Sequence, residues 1–156
     1  MRNQSGFSYV IVMFLVAVLS LVSVRALEST LTREKRDKEA QLLEIGMAYL
    51  KAIEQYYNEA PGSAQSYPAE LDALLYDDRL TRPQRPLRKL FRDPISGSAE
   101  WGVVRNAAGA VIGVHSLSAG KPFKQQGFPA ELQSFAGAQR YSDWKFIYQP
   151  PLQGQK

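Results

Sequence analysis

FSYVIVMFLVAVLSLVSV, residues 7–24, contains no charged side chain, and Gly6 stands immediately before it. Its eighteen residues rise about 27 Å as a helix, close to the hydrocarbon thickness of a bilayer. Twelve of them are Leu, Ile, Val or Phe, each contributing roughly −0.3 to −0.6 kcal/mol to insertion near the membrane centre. The three serines and one tyrosine do not cancel that sum. The stretch is expected to insert in a membrane as a helix, with Phe7, Tyr9, Ile11, Phe14, Leu15, Leu19 and Leu21 among its membrane-helix residues.

Toward the N-terminus lie only MRNQSG, residues 1–6, with one basic side chain, Arg2. With the initiating amine, Arg2 holds the short end cytoplasmic and sends the rest of the chain to the periplasmic side. A secretory signal cut after Ala26, with Val24 and Ala26 as the small residues, is one rival reading; a plain uncleaved anchor is another. The apolar run exceeds the usual 7–15 residues of a signal peptide, and the leader is short for one.

Toward the C-terminus, residues 25–58 contain no proline and one glycine, Gly46. REKRDKE (33–39) alternates in sign with i,i+4 partners Arg33–Asp37, Glu34–Lys38 and Lys35–Glu39, the pattern of a solvated helix. Leu42, Ile45, Tyr49, Ile53 and Tyr56 then recur every three or four residues, an apolar stripe made to cover something. One helix is therefore expected from the apolar stretch to about residue 58.

EAPGSAQSYP (59–68) reads as a loop turning at Pro61–Gly62. Pro68 opens an expected short helix to Tyr76. RLTRPQRPLRKLFR (79–92) follows, and Pro83 and Pro86 forbid one continuous helix through it. WGVVRN (101–106) and AVIGVHS (110–116) read as a β-hairpin about a Gly109 loop, and WKFIYQ (144–149) as a third strand. One or two helical turns are expected around 130–135, and a frayed tail at 151–156. A long helix followed by a small antiparallel sheet of about three strands is α+β, the sheet's inner face covering the 42–57 stripe. The expected division is leader 1–6, membrane helix 7–24, neck and amphipathic helix 25–58, and periplasmic globular domain 59–150.

A short basic leader, Gly6, Phe7 and a long apolar helix resemble the start of a type IV pilin or type II secretion pseudopilin. The resemblance implies a lollipop-shaped subunit cut after Gly6 by prepilin peptidase and methylated at Phe7. It further implies storage in the bacterial inner membrane, then packing with other pilin-like subunits through an assembly platform. The family usually carries a glutamate at the fifth mature position, which pairs with a neighbour's N-terminal amine; here that position is Ile11. Because the family's tip subunit also lacks it, Ile11 favours a minor or initiating role. The C-terminal half instead resembles the major-pseudopilin subgroup, through the proline-led helix, Asp93-Pro94, Trp101-Gly102 and Asp143-Trp144. A single-span periplasmic adaptor or binding protein outside any filament is the alternative.

The remaining chemistry is sparse. There is no cysteine, and His115 is the one histidine, so no nucleophile constellation exists and no enzyme or cofactor is expected. Calcium is held in a C-terminal loop by major pseudopilins; Asp93, Glu100 and Asp143 are the candidate acids, but no recognisable calcium loop surrounds them. The net charge of +4 hides one concentration: Arg79, Arg82, Arg85, Arg88, Lys89 and Arg92 lie together without an acid, leaving 13 bases against 15 acids elsewhere. Pairing with Asp77, Asp78, Asp93 and other domain carboxylates is the simplest use for them, with contact to another subunit the functional one. Nucleic acid is not the expected partner, since Trp101 and Tyr76 read as core or edge residues, not a stacking platform.

Overall fold

The computed structural model describes residues 5–62 and 65–151, without the side chains of residues 5–7 and 22–29. Leader residues 1–4, the Phe7 side chain and tail residues 152–156 lie outside the described set. One helix, α1 (Ser5–Asn58), precedes three strands, β1 (Gly102–Arg105), β2 (Val111–His115) and β3 (Phe146–Ile147). Short 3-10 segments occur at Leu71–Leu74 and Tyr141–Asp143, and Ala130–Phe135 is two such turns joined at Leu132, whose φ −117° and ψ 18° are not helical. The chain divides into two compact units, residues 1–37 and 38–156.

In the first unit, every described side chain from Ser8 to Leu21 is exposed, including Tyr9 at 66%, Ile11 at 45% and Phe14 at 68%. Ser20 returns its hydroxyl to the Val16 carbonyl at 2.8 Å, which satisfies its polar group within the helix. Among the described residues, no helix is long and apolar enough to cross a membrane.

The second unit is α+β. Its sheet is antiparallel in the order β1-β2-β3, with Val103 opposite Val114 and Val114 opposite Phe146. The hairpin turn forms because Asn106 Oδ1 accepts the N–H groups of Ala108 and Ala110 while Gly109 takes φ +82°. Leu42, Tyr49, Ala52, Ile53 and Tyr56 of α1 are buried with Trp101, Val111, Val114, Phe135, Trp144 and Phe146. The stripe thus has its expected cover. Gly46 sits in the middle of it, and a methyl group there would overlap the Phe146 ring. Glycine lets the strand approach the helix.

Two local expectations change. The helix foreseen from Pro68 to Tyr76 is only the 3-10 turn Leu71–Leu74. Backbone groups that a longer helix would use are taken elsewhere: Pro68 O accepts Val111 N–H, Leu74 O accepts Leu87 N–H, and Asp77 pairs with Gln84. The third strand shortens from 144–149 to Phe146–Ile147 because Trp144 N–H closes a turn on Tyr141 O. Trp144, Phe146 and Tyr148 nonetheless point inward, as their alternation with Lys145 and Gln149 required.

Candidate functional site

The basic segment 79–92 runs between two buried carboxylates. At its start, Asp77 receives Arg79 Nε at 2.8 Å and Nη2 at 2.7 Å, and the Arg79 backbone N–H at 3.1 Å. The same guanidinium donates to Tyr56 O and lies 3.4 Å from the Tyr56 ring centroid, so Arg79 fastens the segment to α1. Hydrogen bonding from Arg79 holds the Asp77 carboxyl below its usual range despite burial, and the same bond raises the Arg79 guanidinium.

At its far end, Asp93 is fully buried. Its Oδ1 accepts Ile95 N–H at 2.9 Å, and its Oδ2 accepts the hydroxyls of Ser96 at 2.6 Å and Ser116 at 2.7 Å. Gly97, at φ +74°, donates its N–H to Asp93 O and closes the turn. Between the ends, Leu87 is buried, and the Phe91 backbone is held from both sides. Its N–H reaches Tyr49 Oη at 3.0 Å, and its carbonyl accepts Trp101 Nε1–H at 2.8 Å.

Arg82, Arg85, Arg88, Lys89 and Arg92 are all exposed. Arg85 donates to the carbonyls of Leu75 and Arg88, and Arg92 to that of Gly97; Lys89 Nζ lies 5.3 Å from the Phe91 ring centroid. Among the described residues, Arg79 is the one base of the six with a carboxylate partner. The expected pairing with Asp77 is found. That with Asp93 is not, because backbone and serine donors occupy its oxygens.

Ala48 and Ala52 are too small to fill the space between α1 and the segment, leaving a groove of about 320 Å³. Ala48, Ala52, Leu87 and Phe91 supply its apolar surface, and Lys51, Gln55 and Arg88 its polar surface.

The three candidate calcium ligands serve other ends. Asp93 is engaged as described, Glu100 is exposed, and Asp143 Oδ2 accepts Arg140 N–H at 2.9 Å to cap a turn. Among the described residues, no three His, Cys, Asp or Glu side chains converge. His115 is half-buried over Gly102, its Nδ1 2.9 Å from Ser116 O. Trp101 is core, as read; Tyr76 is 58% exposed, which corrects its reading as a core or edge residue.

Glu39 escaped the sequence reading. It closes the charged run 33–39, yet it is 4% exposed and accepts the backbone N–H groups of Phe123 and Lys124 and the Tyr141 hydroxyl. Its position was a signal, since 39, 42, 46, 49, 53 and 56 form a single three-four series. Glu39 belongs to the buried stripe and not to the solvated face. Gly6 and Phe7 fall where only the backbone is described. Comparison with protein-family models, curated proteins and solved structures finds no match to this chain.

Proposed function

We propose that this chain is a pilin-like structural subunit of a type II secretion or type IV pilus-like machine, anchored by its N-terminal helix and carrying a periplasmic domain. The observation that carries the reading is the exposure of every described side chain from Ser8 to Leu21 within α1. A helix apolar on all sides is covered either by lipid or by other helices. The Phe7–Val24 sequence supplies the length for the first, and packing against like helices supplies the second.

The work is mechanical, and no residue is assigned to catalysis or to a cofactor. Leaving lipid exposes apolar surface worth several kcal/mol, so extraction proceeds only where neighbouring helices cover it and machinery supplies energy. Gly6 and Phe7 are substrates of prepilin peptidase. Ile11 puts no carboxylate where it could pair with a neighbour's amine, which suits a position without a subunit above.

The mass of the N-terminal peptide from native membranes tests this directly. A chain beginning at methylated Phe7, and its loss in Gly6→Ala, is the expected result. A chain retaining Met1 and unchanged by Gly6→Ala supports the single-span adaptor instead; one starting at Leu27 overturns anchoring altogether.

A further inference from the structure

We propose that the groove between α1 and residues 86–91 seats an acidic segment of a partner protein, carrying an aliphatic side chain beside its carboxylates. The groove depends on neither the anchoring nor the processing of the N-terminal helix, because each of its residues belongs to the second unit.

Charge is the first ground. Arg82, Arg85, Arg88, Lys89 and Arg92 are exposed within eleven residues that hold no acid, and none has a carboxylate partner among the described residues. Lys51 adds a cation from α1. Like charges gathered on one short segment and the helix beside it repel one another, and a bound polyanion relieves that repulsion.

Rigidity is the second. Arg79 to Asp77 and Tyr56 O at one end, Leu87 in the middle, and Phe91 and Asp93 at the other fix the backbone that presents these charges. A segment held at three places loses little conformational entropy when a partner docks.

The apolar part of the groove selects the kind of polyanion. Ala48, Ala52, Leu87 and Phe91 offer a place for an aliphatic side chain beside the cations of Lys51 and Arg88. An acidic peptide brings both groups at once. A nucleic acid does not fit as well: Phe91 is half-buried, with its ring edge-on to Tyr49 at 6.2 Å, so the groove lacks an open face for stacking a base.

A photoreactive side chain placed at Gln55, on the groove wall, in the full-length protein in cells tests the inference. The expected adduct is a protein peptide with at least two Asp or Glu residues, identified by mass spectrometry. Its yield should fall at least ten-fold in Lys51→Glu/Arg88→Glu and hold in Arg140→Glu, with matching thermal melts for all three chains. An adduct to nucleic acid, to lipid or to a peptide without acids overturns the proposal, as does no adduct or one indifferent to the double charge reversal. The N-terminal mass, read on the same samples, reports separately on processing.

Discussion

Tyr141 donates its hydroxyl to Glu39 Oε1 at 2.8 Å, joining two buried residues 102 positions apart in the chain. Two backbone N–H groups from residues 123 and 124 complete the shell of that carboxylate. The irregular stretch 117–143 is thereby tied to the start of the buried helical stripe. Removing one partner leaves a buried charge short of a donor, and such hydrogen bonds are worth about 1.5–3 kcal/mol. Tyr141→Phe is expected to destabilise by that amount in urea unfolding. Glu39→Ala should cost more, because it strands three donors; equal stability of all three chains would sink the account.

Alkaline pH should weaken the fold. Burial raises the Tyr141 hydroxyl, and the adjacent Glu39 carboxylate raises it further; burial likewise raises Tyr49, Tyr56 and Tyr67. An unfolded tyrosine titrates near 10, so the folded state holds these protons more tightly. Their contribution is therefore complete below about pH 10 and is lost as pH rises through the folded values. Thermal melts from pH 8 to 12 should show a falling midpoint, with a shallower slope in Tyr141→Phe. Parallel slopes would argue against it.

The Asp77–Arg79 pair gives the opposite sign. Because the folded Asp77 carboxyl is held below its ordinary value near 4, its contribution is present above that pH and lost as pH falls through the folded value. Arg79→Met should remove this part of the acid sensitivity and release the segment from Tyr56 O. Midpoints measured between pH 2 and 5 check it: a wild-type and variant difference that does not shrink toward low pH counts against the assignment.

Gly46 and Phe146 set two effects against each other. Alanine is favoured over glycine inside a helix by roughly 0.5–1 kcal/mol. A methyl at 46 overlaps the Phe146 ring, however, and overpacking costs about 1–3 kcal/mol. Gly46→Ala is accordingly expected to be destabilising, and Phe146→Leu in the same chain to recover part of the loss. A more stable Gly46→Ala would show that the ring moves aside freely.

Asp93 holds its turn through donors of the chain itself. Ser116→Ala removes a buried donor and should cost about 1–3 kcal/mol. Ser96→Ala should cost less, since residue 96 is exposed and water can replace the hydroxyl. The melting temperature should not move with EGTA, because chain donors serve both Asp93 oxygens. A drop of several degrees would return calcium to the site.

The sequence by itself determined the long helix, the buried stripe, the hairpin, the inward set Trp144, Phe146 and Tyr148, and the concentration of bases at 79–92. These follow from local rules: apolar periodicity, the absence of proline, turn residues and strand alternation act within a few positions. Only the tertiary structure decided which donors meet the Glu39 carboxylate and that Asp93 spends its oxygens on Ser96, Ser116 and Ile95. It also decided that, among the described residues, Arg79 alone of the six bases finds a carboxylate, and that 68–77 gives backbone groups to Val111, Leu87 and Gln84 in place of a helix. Distant partners settle much of it: Glu39 meets residues 84 to 102 positions away, Asp93 meets Ser116 at 23, and Arg79 meets Tyr56 at 23. A charged or polar group goes where its hydrogen bonds can be met, and no local pattern records where in the fold that is.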